Sequence, residues 1–170
     1  MPENDRTAKD GAFVVTRDFN ASRDLVWKAW SEPGRLSQWW GPKGCKIRVE
    51  HLEFRAGGFF HYSMAFPNAP LAWGRFMYRE IAEPDRIVWL NSFSNEKGGI
   101  TRAPFCDRVP LEIENTVMLT ERAGATILNL RSLPFGETAE ERECFERLFP
   151  SMQQGFGGTF ERLALHLARG

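Results

Sequence analysis

The chain of 170 residues is 42% hydrophobic and 26% charged, the balance of one globular, water-soluble domain of ordinary size. Its 22 basic and 22 acidic residues cancel and are interspersed, which excludes the electrostatic footprint of a nucleic-acid binder or of a protein held on an anionic membrane. Residues 1–11 are polar and charged, and no run of about 18 apolar residues occurs, so neither a secretory leader nor a membrane span is expected.

Residues 1–11 are expected to form a disordered tail and residues 12–170 a single domain. Phe13, Val15 and Phe19 alternate with Val14, Thr16 and Asp18 as in a half-buried strand. Ser22 is a suitable N-cap for a short helix whose stripe of Leu25, Val26, Ala29 and Trp30 ends at Pro33. Pro33 in turn suits the first turn of a second short helix carrying Leu36, Trp39 and Trp40, closed by Gly41-Pro42. Four of the six tryptophans, Trp27, Trp30, Trp39 and Trp40, thus fall on this helical pair. Such a density of large apolar rings marks either the knot of a core or the lining of a site.

From Cys45 to Leu133 the hydrophobic period is two. Ile47 and Val49, then Leu52 and Phe54, predict a strand with a register slip near Glu50 and His51. Arg55 to Gly58 predicts a hairpin turn leading into Phe60, Tyr62, Met64 and Phe66. Phe76 and Tyr78 precede the Pro84-Asp85 turn, and Ile87, Trp89, Asn91 and Phe93 follow it. Ile113 to Thr120 pairs with Thr126 to Leu133 about Ala123-Gly124. The total is about seven strands. The segment from Asn95 to Pro110, rich in Gly and Pro and longer than a usual connection, is expected to act as a gate.

Thr138 and Glu141 predict a capping box, after which Phe145, Leu148, Phe149, Met152, Phe156, Phe160, Leu163 and Leu167 form one stripe. A break is expected near Pro150, and close approach of the sheet at Gly155, Gly157 and Gly158. The element order predicts an α+β helix grip: a curved antiparallel sheet wrapped around a long C-terminal helix, with two short helices between strands 1 and 2.

Candidate site residues follow from that arrangement. Phe60, Tyr62, Met64, Phe76, Tyr78, Trp89 and Phe93 form the sheet wall of a cavity, Met152 and Phe156 its helix side, and Trp40 its rim, a composition that suits a planar or greasy ligand and equally a filled core. Asn91 and Asn115 share parity with apolar neighbours and point inward, where each amide needs a backbone group, a bulge or a ligand as partner. His61 falls on the solvent side. His51 and His61 lie across a hairpin without a third ligand, so no metal is expected. No G-x-S-x-G, P-loop or dinucleotide fingerprint occurs, and no catalytic residue and no cofactor is assigned. Cys45, Cys106 and Cys144 are odd in number and far apart, with no C-x-x-C pair, which argues against a disulfide framework and for a reducing cytoplasm.

Phe13 to Phe19, Val26-Trp27-Lys28-Ala29-Trp30, Pro33, Trp39-Trp40-Gly41-Pro42, Arg55-Ala56-Gly57-Gly58, the strand around Gly74 and Pro84-Asp85-Arg86-Ile87-Val88 together resemble the Hsp90 ATPase activator homologue family. That family is similar to the wider START-like, Bet v 1-like (SRPBCC) superfamily, which includes polyketide cyclases and aromatases, plant hormone receptors and lipid-transfer domains. The resemblance spans nearly the whole chain and implies the fold, while the shared residues are scaffold and imply less about activity. The expectation is a noncatalytic, monomeric or homodimeric binder of a small hydrophobic or aromatic molecule. Its alternatives are a cyclase or aromatase, with Asn91 and Tyr78 orienting substrate, and a module acting on an Hsp90-type chaperone.

Overall fold

The computed structural model describes residues 10–136 and 138–170, so residues 1–9 of the expected tail lie outside the described residues. At its edge Asp10 is ion-paired with Arg131, and its Oδ1 accepts from the Ala12 N–H at 3.2 Å. The elements run β1 (Phe13–Phe19), α1 (Arg23–Ser31), α2 (Pro33–Trp39), β2 (Lys46–Leu52), β3 (Phe59–Ala65), β4 (Ala72–Ala82), β5 (Arg86–Ser94), β6 (Ile100–Thr101), β7 (Glu112–Arg122), β8 (Ala125–Phe135), α3 (Ala139–Arg147) and α4 (Phe149–Ala168).

The punctuation residues act as their chemistry dictates. Ser22 Oγ accepts from the Leu25 N–H at 3.2 Å, Pro33 opens α2, and Thr138 and Glu141 exchange both bonds of a capping box. Ala123 and Gly124 both take positive φ, at 52° and 81°, the geometry of the tight β7–β8 hairpin. The terminal stripe breaks at Leu148 into α3 and α4, with Pro150 in the first turn of α4 where its missing N–H costs nothing.

All strand pairings are antiparallel, in the order β1-β8-β7-β5-β4-β3-β2, with β6 added to β5. The register of β2 on β3 slips between Val49 and His51, at the expected place, and β4 on β5 slips between Tyr78 and Glu80, which the alternation did not predict. The eighth strand lies inside the segment expected as a continuous loop. Asn95 folds the chain back there, because its Oδ1 accepts from the N–H groups of Lys97 and Gly99 at 3.0 and 2.9 Å. The close approach of the sheet expected at three helical glycines is found at none of them, and only a loop side chain comes near Gly158. A Cβ there would stand 3.3 Å from Lys43 Cγ of the α2–β2 loop, whereas Gly155 and Gly157 meet nothing within 4 Å.

The helices cover the concave face, α4 packing on β1, α1 and α2. Trp30 sits among the other indoles, 4.8 Å from Trp39, 5.9 Å from Trp40 and 5.5 Å from Trp89 of β5. The Trp39 N–H donates to Ala29 O at 2.9 Å and so joins the two short helices. Truncating one of these buried rings to Ala removes about 3–5 kcal/mol of stability.

Candidate functional site

Register places the inward side chains in rows across the sheet. One row reads Tyr78, Trp89, Asn115, Ser132, Phe13, and the next reads Phe60, Phe76, Asn91, Ile113, Pro134. A third reads Tyr62, Gly74, Phe93, Thr101. Directly opposite residues share a face, and from it Phe60, Tyr62, Phe76, Tyr78 and Trp89 join the core that holds Trp30 and Trp40.

The proposed residues divide into two groups. Trp40, Phe60, Tyr62, Phe76, Tyr78, Trp89 and Asn115 are buried, and the rings among them fill the space beneath the tryptophan helices. Trp40 stands 5.0 Å edge-on to Phe76, which stacks on Trp89 at 4.8 Å, and Phe60 stacks on Tyr62 at 4.6 Å. Trp40, expected at a rim, is therefore interior. Met64, Asn91, Phe93, Met152 and Phe156 are only half-buried and form the other group. Phe156 stacks on Phe13 at 5.9 Å, and Phe93 meets Phe105 of the β6–β7 loop edge-on at 5.9 Å. Phe105 itself is 65% exposed.

The polar atoms separate the two asparagines. Asn115 Oδ1 accepts from the Ser132 hydroxyl across the β7–β8 pair, a side-chain partner that neither a bulge nor a ligand supplies. Asn91 Oδ1 is buried without a hydrogen-bond partner, as is the indole N–H of Trp89 two residues earlier. Gln153 Oε1 on α4 is in the same condition. Each such atom costs roughly 1–3 kcal/mol while unpaired. Gln153 was missed in the sequence, although its spacing from Phe149 and Phe156, four and three residues, sets it on the apolar stripe; a polar residue there was the available signal. Ser132 was missed likewise, although it shares parity with Leu128 and Leu130.

The phenols are held neutral. Burial pushes the Tyr62 hydroxyl up to about 12, opposed by the hydrogen bond it receives from Trp40, and burial drives Tyr78 up as well.

Two of the three histidines, His51 and His61, lie on the convex face, and His166 is buried on α4. His61 stacks on Trp73 at 5.2 Å with Nε2 at 3.0 Å from Asn95 O, and His51, its cross-strand neighbour, reaches Glu53 at 2.7 Å. They share a cleft of about 290 Å³ with Phe59, Arg75, Lys97 and Gly98. Among the described residues no three potential ligands cluster for a metal ion, and no helix is long and apolar enough to cross a membrane.

One feature of α4 explains how this face is held. Arg162 Nη1 donates to the carbonyls of Trp40, Gly41 and Pro42 at 3.2, 3.2 and 2.9 Å, and Nη2 to Gln38 O at 3.4 Å. A single guanidinium thus takes up the carbonyls left open at the C-terminal end of α2.

Residues 20–168 match the protein family described as Activator of Hsp90 ATPase homolog 1-like protein. Among solved structures, a protein from Arthrobacter aurescens is similar at 27% identity over 94% of this chain and 87% of that one, with a TM-score of 0.77. The AHSA1 protein of Silicibacter pomeroyi is similar at 18% identity over 92% and 97% of the two chains, with a TM-score of 0.68. DynU16, a protein in the dynemicin biosynthetic locus, is similar at 20% identity over 92% of this chain and 47% of its own, with a TM-score of 0.61. No curated protein matches the chain. These neighbours share the helix-grip arrangement of an antiparallel sheet and a C-terminal helix.

Proposed function

This chain belongs to the Activator of Hsp90 ATPase homolog 1-like family, and we propose that within that scaffold it binds a small hydrophobic or aromatic molecule carrying a hydrogen-bond donor. The binding site is the open half of the concave face. Met64, Phe93, Met152 and Phe156 receive the apolar body, Asn91 Oδ1 and Gln153 Oε1 accept from its donor, and the Trp89 N–H addresses an acceptor. The buried half, from Trp40 through Phe60, Tyr62, Phe76 and Tyr78 to Asn115, is the rigid floor that fixes these groups.

The observation that carries this reading is the orphaned Asn91 oxygen beside half-buried apolar side chains. A filled core would match the amide or replace it, since an unpaired carbonyl is paid for in stability; a ligand N–H or O–H recovers that loss on binding. Tyr62 and Tyr78 are both held protonated, which supports binding over acid–base catalysis. The reading needs no metal and no cofactor, and the three free cysteines support a reducing compartment such as the cytoplasm.

The test is titration with matched pairs of aromatic compounds, with and without one hydroxyl or amide N–H, followed by tryptophan fluorescence. The donor-bearing member binds about tenfold tighter, the equivalent of one recovered hydrogen bond. Equal affinities within every pair, or no response to any of them, would overturn the proposal.

The family description also favours a second reading, contact with an Hsp90-type chaperone. Its test is co-purification with a purified chaperone and the chaperone's ATPase rate, and an unchanged rate without co-purification removes it.

A further inference from the structure

The convex face carries a row of basic side chains that the concave site does not use. Register sets His51 of β2 opposite His61 of β3, and His61 opposite Arg75 of β4, so three neighbouring strands each present one nitrogen-bearing side chain on the same face. The turn from Asn95 to Gly99 folds over this row. His61 Nε2 lies 3.0 Å from Asn95 O, and Arg75 Nη1 donates to Gly98 O at 2.8 Å, so the two side chains hold the turn by its carbonyls. Lys97 of that turn joins His51, His61, Arg75, Phe59 and Gly98 around the cleft of about 290 Å³.

The bonding of these groups is incomplete. A carbonyl and a carboxylate only accept, so the Nε2 atoms of His61 and His51 donate to Asn95 O and Glu53 Oε1, and Nδ1 is the nitrogen left to each ring. Arg75 spends one N–H on Gly98 O, lies with its guanidinium 4.6 Å over the Phe59 ring, and makes no ion pair among the described residues. By contrast Arg48, Arg55, Arg79 and Arg86 each meet a carboxylate. Partial burial holds Arg75 below the usual arginine range, with Glu112 opposing that at longer reach. The Lys97 ammonium is likewise without an ion pair among the described residues. A half-buried cation that no carboxylate meets is completed by an anion from outside the chain.

We propose that this convex cleft binds a small phosphate ester. Arg75 meets the phosphate oxygens with the N–H groups not spent on Gly98 O, Lys97 supplies a second positive charge, and the exposed ring of Phe59 carries the apolar body of the ester. Phosphate suits the row better than a carboxylate does. Its oxygens are arranged tetrahedrally, as the donors here converge from β4, the turn and two imidazoles. Near neutral pH a monoester also holds both P–OH and P–O⁻, so it pairs with an imidazole Nδ1 whether that atom donates or accepts. Glu53, already bonded to His51 and Arg55, stands at the β2 end and turns the anion toward Arg75. The site stands whether or not the concave face binds a ligand, because the two share no residue.

The test titrates the full chain with phenyl phosphate, benzoate and benzyl alcohol, which share a ring and differ in head group, and with inorganic phosphate, while the imidazole resonances of His51 and His61 are followed. Phenyl phosphate is expected to move both resonances and to bind about tenfold tighter than benzoate. Benzyl alcohol, a compound for the concave face, leaves both unmoved. Inorganic phosphate moves the same resonances and binds more weakly than the ester, since it leaves Phe59 uncovered. Arg75→Gln weakens phenyl phosphate about tenfold, and Lys97→Gln about threefold, an effect that higher salt removes. Arg79→Gln, whose arginine already pairs with Glu114, leaves the affinity unchanged. Lys97→Gln keeps the backbone bonds of the Asn95 turn, so it decides the matter if Arg75→Gln fails to fold. His51 and His61 moved equally by benzyl alcohol, or unmoved by phenyl phosphate, would overturn the proposal. So would benzoate or inorganic phosphate bound as tightly as the ester, or folded variants of Arg75 and Lys97 that bind it like the unaltered chain.

Discussion

The ring of Tyr62 lies over its cross-strand partner Gly74: a Cβ at that position would sit 2.9 Å from Tyr62 Cε2 and closer still to Cζ and the hydroxyl oxygen. The glycine is the space the phenol occupies, and the phenol ring in turn stands edge-on to Trp40 at 6.5 Å. Gly74→Ala therefore displaces Tyr62 and is expected to cost about 1–3 kcal/mol, as overpacking does. Chemical denaturation of Gly74→Ala alone and in a Tyr62→Ala background checks it, because the cost shrinks in the double variant when the two positions are coupled.

The same phenol sets an alkaline limit on stability. Its folded pKa of about 12 lies above the unfolded value of about 10, so its contribution is complete below pH 10 and is lost as the pH rises toward 12. A rise from about 10 to about 12 is worth on the order of 3 kcal/mol. Denaturation midpoints measured from pH 8 to 12 fall with pH, and Tyr62→Phe flattens that slope, with the residual fall carried by Tyr78.

Arg162 is expected to matter more than a surface arginine. It offers charge-assisted bonds to carbonyls of Gln38, Trp40, Gly41 and Pro42 just past the end of α2, of which Gly41 O also accepts from the Thr159 hydroxyl and Pro42 O from the Cys45 N–H. Arg162→Met keeps the stem and removes the donors, and is expected to lower stability by about 2–3 kcal/mol. By contrast Arg102→Gln, which breaks a partly exposed ion pair, changes global stability by less than about 1 kcal/mol while speeding proteolysis of the β6–β7 loop. Thermal melts and limited trypsin digestion separate the two effects.

Asn91 is expected to trade stability for binding. Asn91→Leu removes a buried oxygen that has no partner and is expected to stabilise the chain by about 1 kcal/mol, against the usual sense of a buried substitution. Asn115→Leu strands the Ser132 hydroxyl instead and destabilises by a similar amount. Opposite shifts of the two melting temperatures are the readout.

What could be read from the residues was whatever a short window decides. Ser22, Pro33, the Thr138 and Glu141 pair, and Pro150 act within one turn of a helix, and the slip near Glu50 follows from a change of parity within one strand. Parity also placed Asn91 and Asn115 inward, yet only the register of β7 on β8 puts Ser132 opposite Asn115 and leaves Asn91 without an equivalent. The burial of Trp40 depends on rings distant in sequence, Phe76 at 5.0 Å and Trp89 at 6.5 Å, which no short window places beside it. The two-residue β6 is too short for periodicity to reveal, and the bridge from Arg102 to Glu141 depends on how the loop returns to α3.

Whether a donor-bearing apolar ligand binds at Asn91 and Gln153 is decided by the side-chain amide spectrum of the isotopically labelled chain during titration with such a compound. On binding, the Asn91 and Gln153 amide resonances are expected to move together, along with the Trp89 indole N–H, and Asn91→Leu is expected to weaken binding about tenfold for the donor-bearing member of a matched pair only. Shifts confined to the convex cleft of His51, His61 and Arg75, or a ligand bound with those three signals unmoved, would contradict it.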